Sequence, residues 1–211
     1  MTVKYNYIEN YLDKLIPNPI CELNYFNDYS LLIAIMLSAQ TTDKRVNMVT
    51  KVLFDKYKNL EELKNANIKD LEKIIRPLGN YRKKSSNVKE IATILCNKYK
   101  GSVPKERKEL ESLPGIGRKT INVFYSEYLQ IPSLAVDTHV SRVTKRLNLV
   151  RESSDVVTIE NTLKRNILKE NWSKRHLQLV LFGRYYCKAI KPECTNCELQ
   201  SMCKYYKKNN I

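Results

Sequence analysis

At 211 residues, 43% hydrophobic and 28% charged, the chain can bury one large core or two small ones and is too apolar to be disordered. Its longest apolar run, Leu31 to Leu37, is too short to cross a bilayer. Lysine and arginine number 37 against 22 acids, a formal net charge of +15, which points to a polyanionic partner such as nucleic acid.

In chain order, Met1 to Leu15 is polar and mixed in charge, without a secretory pattern, so a cytoplasmic location is expected. Helical periodicity then dominates. Asp43 to Tyr57 sets Val46, Val49, Leu53 and Tyr57 on one face at spacings of 3, 4 and 4. Asn67 can cap a helix that buries Ile68, Leu71 and Ile75 and ends near Pro77 and Gly79. Lys83 to Tyr99 carries Val88, Ile91 and Leu95 and stops at Gly101. A helix over Lys105 to Ser112 and another from about Arg118 flank a glycine turn. Leu129 to Ala135, with Pro132, is expected to cross between lobes. Ser153 or Ser154 can cap a helix with Val156, Ile159, Leu163 and Ile167, and Trp172 to Cys187 forms another. No stretch alternates as paired strands do, so the predicted fold class is all-α.

The turn reads Leu113-Pro114-Gly115-Ile116-Gly117-Arg118-Lys119-Thr120. Two glycines allow a tight turn and a close approach to a ligand. The amides that open the next helix have no intrahelical partner, and with the helix dipole they attract an anion. The pair Arg118-Lys119 suits a phosphate, and such contacts position a duplex without reading its sequence. A plain helical turn would use the same glycines for geometry alone. Pro77-Leu78-Gly79-Asn80-Tyr81-Arg82-Lys83 is an internal echo of this turn.

Asp137 follows Lys119 by 18 residues, in Ala135-Val136-Asp137-Thr138-His139-Val140-Ser141-Arg142. A deprotonated amine can attack a carbonyl-like carbon and form a Schiff base. The helix start, Arg118 and partial burial would favour the neutral amine of Lys119, while an ionised Asp137 would favour the charged one, and the sequence leaves the balance open. A carboxylate can orient the amine, relay its proton or steady a cationic sugar. The same residues also fit a phosphate contact and a helix N-cap, and spacing alone leaves both readings open. His139 is expected to be structural or to face DNA.

Four of the six cysteines stand in the last 25 residues, as Cys187-x6-Cys194-x2-Cys197-x5-Cys203. In a cytoplasmic chain such a group is a metal site before it is a disulfide framework. Structural zinc sites usually pair two C-x2-C hooks, and there is one here. Cys21 and Cys96 have no partner pattern and are expected to be core residues. Lys188 and Lys191 lie within the cysteine loop, where they can face phosphates. Lys207 and Lys208 are expected to belong to a solvated tail.

From about Ile20 to Cys203 the chain resembles the endonuclease III family of helix–hairpin–helix DNA glycosylases. The most specific parts are the Leu-Pro-Gly-x-Gly-Arg-Lys-Thr string, the Val-Asp-Thr-His segment and the four cysteines. The resemblance implies two helical lobes with a DNA-binding cleft between them. One is a six-helix domain over residues 21–131, with the hairpin at about 105–128. The other joins residues 1–20 to 132–211 and holds a [4Fe–4S] cluster on Cys187, Cys194, Cys197 and Cys203.

The resemblance also implies an activity. Lys119 is then the nucleophile that attacks C1′ of a flipped nucleotide, and Asp137 the essential carboxylate. Gln40, in Leu37-Ser38-Ala39-Gln40-Thr41-Thr42-Asp43, fills the gap that the base leaves. Leu113, Gly115, Gly117, Arg118, Thr120, His139, Arg142, Lys188 and Lys191 join it as DNA contacts. Where the family commonly has a leucine wedge this chain has Asn80, and the neighbouring Tyr81 can stack instead. The implied partner is duplex DNA with damaged bases or abasic sites, acted on by a monomer. Oxidised or ring-saturated pyrimidines are the implied substrates, and β-elimination the implied cleavage. The alternatives are a monofunctional adenine-type glycosylase, a non-enzymatic DNA-binding module and a zinc-stabilised structural protein.

Overall fold

The computed structural model describes residues 3–209, and among them the regular elements are all helical. They are α1 (Val3–Leu15), α2 (Asp28–Leu37), α3 (Asp43–Lys56), α4 (Leu60–Lys64), α5 (Ile68–Ile75) and α6 (Tyr81–Tyr99). The series continues with α7 (Arg107–Glu111), α8 (Arg118–Glu127), α9 (Thr138–Arg146), α10 (Val156–Asn166), α11 (Trp172–Tyr185) and α12 (Lys204–Asn209). No described helix is long and apolar enough to cross a membrane. The chain divides into two compact units, Glu22–Leu129 and Met1–Cys21 with Gln130–Ile211.

The unit Glu22–Leu129 is built around α2. Every residue of α2 after Asp28 is buried. The apolar run therefore has no polar face, as a central helix requires. A capping box fixes its start: the Asn27 side chain accepts from Ser30 N–H at 3.0 Å and the Ser30 hydroxyl accepts from Asn27 N–H at 3.0 Å. Around α2 pack α3, α6 and α8, while α4 and α5 lie on α6. Asn67 caps α5 by accepting from Lys69 N–H at 2.8 Å. The helix read as Lys83 to Tyr99 begins two residues earlier, at Tyr81, and ends where Lys100 and Gly101 turn left-handed at φ +52° and +83°. Cys96 is half-buried rather than a core residue, with Glu61 beside its thiol. Cys21, at the edge of the other unit, is half-buried too.

The second unit has its own core, with Tyr5, Leu12, Val140, Val143, Leu163, Leu179 and Phe182 among its members. Gly183 lets α11 approach α9: a Cβ there would stand 2.8 Å from His139 Cβ. The helix over Val156–Asn166 is capped by Asp155, which accepts from Thr158 N–H at 2.8 Å, and not by Ser153 or Ser154. The carboxylate one residue later reaches the free amides where the serines, outside the first turn, do not.

Met1 to Leu15, read as polar, contains helix α1, which buries Tyr5, Ile8, Tyr11 and Leu12 at helical spacing. Its Glu9 and Asp13 grip Arg175 of α11, which is 5% exposed. Arg175 Nε meets Glu9 Oε2 at 2.9 Å, and its two terminal nitrogens meet Asp13 at 2.7 and 2.8 Å. This fork-on-carboxylate geometry holds the Asp13 carboxyl well below the usual carboxylate range.

Candidate active site

The hairpin is α7, the turn 112–117 and α8. Leu113 and Ile116 are 2% and 5% exposed, and Ile116 N–H closes the turn on the Leu113 carbonyl at 3.2 Å. Gly115 has φ +75°, and a Cβ on it would collide with the Asn87 side chain and press on Met36. Gly117 precedes α8 in extended conformation, with open space where a Cβ would stand. The two glycines thus have different tasks. Gly115 accommodates the protein's own packing, and Gly117 leaves room for what approaches from outside.

We expect Gly115→Ala to cost about 1–3 kcal/mol of stability through strain and collision. Gly117→Ala should melt within a degree or two of the parent, roughly as a compatible Gly→Ala exchange does, yet bind duplex more weakly. Thermal melts and a DNA titration of both variants check this. Equal melting losses would contradict the division of tasks.

No side chain caps α8 at Gly117. Its opening N–H groups, with the dipole behind them, form an anion site. Arg118 and Lys119 stand in this first turn, and both are exposed. Exposure of Lys119 corrects the expected partial burial. The buried face of α8 is Thr120, Ile121 and Phe124, so the residue before Thr120 points outward. Leu113 and Thr120 were expected as DNA contacts, but their side chains are buried at 2% and 8% exposure. They build the hairpin from inside.

Two further tips belong to this unit. Gln40 is exposed at φ +57°, and Asn80 is exposed at φ +45° directly after Gly79 at φ +65°. Left-handed backbone suits asparagine, whose short polar side chain tolerates it better than a leucine does. Tyr81 is half-buried, with the Arg82 guanidinium 5.2 Å from its ring centroid. That ring is covered on one side by its neighbour.

In the other unit, Asp137 caps α9: Oδ1 accepts from Val140 N–H at 2.8 Å. The carboxylate also lines a groove of about 820 Å³. Arg142, Lys145, Arg146, Lys204 and Lys208 line the same groove, with Glu152 the other acid. Such a basic channel attracts phosphate. Lys208 lines the groove while staying exposed, and Lys145 is a groove residue that sequence reasoning missed.

Arg142 was expected on DNA and has another task. Its Nε donates to the Cys187 carbonyl at 3.1 Å and its Nη2 to the Gly183 carbonyl at 2.6 Å. It closes the last turn of α11, whose carbonyls lack intrahelical partners. His139 is half-buried, its Nδ1 is 3.2 Å from Arg142 Nη2, and its Cβ lies against Gly183. Its place is at the α9–α11 crossing, as the structural reading had it.

Cys187, Cys194, Cys197 and Cys203 are unbridged and together line a cavity of about 190 Å³. Four thiols spaced around a cavity suit a larger, multi-atom group. Burial, with the neighbouring cysteines, pushes the Cys194 thiol up, and a bound cation would reverse this.

Arg146 organises the surrounding loop, another residue that sequence reasoning missed. It donates to the Lys188 carbonyl at 2.7 Å, the Ala189 carbonyl at 3.1 Å and Cys187 Sγ at 3.4 Å. Its guanidinium lies 3.9 Å from the Tyr205 ring centroid. Lys188 pairs with Glu193 at 2.9 Å, while Lys191 is exposed at φ +49°.

The profile of the HhH-GPD superfamily base excision DNA repair proteins matches residues 33–169. The endonuclease III of Bacillus subtilis is 45% identical over 200 residues, covering 93% of this chain and 91% of that protein. The endonuclease III of Escherichia coli is 36% identical over 195 residues, with 92% of each covered. A solved non-covalent endonuclease III–DNA complex superimposes with a TM-score of 0.95 at 44% identity, over 100% of this chain and 99% of that one. A trapped endonuclease III–DNA covalent intermediate gives 0.94 at 43% identity, over 100% of both chains.

Proposed function

Because the chain belongs to the HhH-GPD superfamily of base excision DNA repair proteins, and within it to the endonuclease III family, we propose that Lys119 carries its chemistry by forming a Schiff base with damaged DNA. It is a bifunctional repair enzyme, a DNA glycosylase with abasic-site lyase activity. The observation that carries the proposal is the place of Lys119: exposed, in the first turn of the uncapped second hairpin helix, where a phosphate backbone would dock. In this reading the hairpin amides and Arg118 hold the backbone. The Lys119 amine attacks C1′ and displaces the base, the sugar ring opens to a Schiff base, and loss of the C2′ proton breaks the C3′–O bond. Asp137 is the carboxylate that steadies the cationic sugar or takes a proton. Gln40 enters the gap left by the flipped base, with Asn80 and Tyr81 in place of a leucine wedge.

We assign the four cysteines to a [4Fe–4S] cluster. Bound there, it supplies a rigid cross-link among α11, the 187–197 loop and Cys203. Arg142 and Arg146 hold the carbonyls of that loop, and Lys191 is its exposed cation. The substrates we propose are oxidised or ring-saturated pyrimidines in duplex DNA. A panel of duplexes, each with one defined lesion, tests this assignment. We expect base release with strand cleavage on thymine glycol and dihydrothymine. Release confined to adenine opposite oxidised guanine, without cleavage, would favour the monofunctional reading.

A further inference from the structure

Lys84 is an unusual lysine. It lies in the first turn of α6 and is 6% exposed. Its ammonium donates to two main-chain carbonyls, Ala39 at 2.9 Å and Leu78 at 2.9 Å. Burial pushes its pKa down, and a charge is kept in such a place only when hydrogen bonds compensate for lost water.

The partners make the position informative. Ala39 immediately precedes Gln40, and Leu78 precedes Gly79 and Asn80. Both carbonyls therefore sit at the base of an exposed left-handed tip, at φ +57° for Gln40 and +45° for Asn80. The Leu78 carbonyl accepts a second bond, from Thr41 Oγ1 at 2.9 Å, on the far side of Gln40. Two turns about 40 residues apart in sequence are thus joined through one nitrogen and one oxygen. Left-handed non-glycine backbone costs energy and persists only when its surroundings fix it.

We propose that Lys84 is a positioning residue for duplex opening: its ammonium clamps the Gln40 and Asn80 tips at a fixed separation, so that both enter the helix together at one nucleotide. This rests on the functional reading above, in which those tips meet the opened duplex. It requires no contact between Lys84 and DNA. The gain is in preorganisation, since tips held in register need not be ordered as the base leaves the stack.

The test compares the parent with Lys84→Met, which fills similar space and donates nothing. Single-turnover base release from a thymine glycol duplex is measured beside strand cleavage at a preformed abasic site in the same sequence. The abasic nucleotide has no base to unstack, so it depends less on the clamp. We expect base release to slow about tenfold or more, with affinity for undamaged duplex unchanged and abasic cleavage within about threefold. Fluorescence of 2-aminopurine opposite a tetrahydrofuran site, which reports insertion of the tips, should rise less than with the parent.

Equal base release by parent and variant would overturn the clamp, as would parallel losses on both substrates. Should Lys84→Met fail to fold, Thr41→Val removes the other bond to Leu78, and the same selective loss is expected at about threefold. Its absence would overturn the clamp. A parent chain inert toward both substrates would instead overturn the functional reading, and the clamp with it.

Discussion

Lys119→Ala should fold as the parent does and lose roughly 10⁴–10⁶-fold in strand cleavage at an abasic site, the scale on which removal of a covalent nucleophile is felt. The fold is expected to survive because the side chain is exposed and packs against none of the buried face of α8. Surface substitutions of that kind change stability by about 0.5 kcal/mol or less. Binding should survive too, reduced by about the contribution of one phosphate contact, because Arg118 and the uncapped amides remain. Single-turnover kinetics on an abasic duplex, read beside a binding titration, separate the two effects. A variant that cleaves within tenfold of the parent would show that another amine or a hydroxide does the chemistry.

Asp137→Asn should lower base release by about 10²–10⁴-fold, the range of a positioned acid or base, with almost no change in melting temperature. The sign of each effect comes from a different role of one side chain. Asp137 Oδ1 caps α9 through Val140 N–H at 2.8 Å, and asparagine caps about as well as aspartate. The amide keeps the acceptor and loses the charge. Asp137→Ala removes both, and should add a stability loss of about 1 kcal/mol to the same kinetic defect. If Asp137→Asn were as active as the parent, the carboxylate would be a cap and nothing more.

How much of this was legible in the sequence depended on where the information sits. The periodic helices α3, α5 and α6 were legible because each buries one stripe: Val46, Val49 and Leu53 in α3, and Leu71 and Ile75 in α5. Helix α1 also buries a stripe, Tyr5, Ile8 and Leu12 at spacings of 3 and 4, but polar residues between them masked it, and its Glu9 and Asp13 reach a buried arginine that stands 162 residues beyond Asp13. Charged residues joined over that distance look solvated in sequence. For the same reason Arg142 looked like a DNA contact, although it spends its donors on main-chain carbonyls of Cys187 and Gly183.

The hairpin motif was visible as a string, while the tasks of its members were not. Leu113 and Thr120 turn inward, Lys119 turns outward, and Gly115 and Gly117 face different neighbours. Lys84 carried no sequence signal at all. In Lys83-Lys84 one lysine is exposed and the other buried, and only the packing of α6 against the 38–42 turn decides which.

In the proposed reaction one amine, that of Lys119, becomes bonded to the sugar. The most direct measurement is to reduce the enzyme with borohydride on duplex DNA containing an abasic site, digest protein and DNA, and map the modified peptide by mass spectrometry. A single deoxyribose-derived adduct on the Nζ of Lys119 is expected. An adduct on another lysine or on the N-terminal amine, or no adduct from an enzyme that nevertheless cleaves the strand, would contradict the proposed reaction.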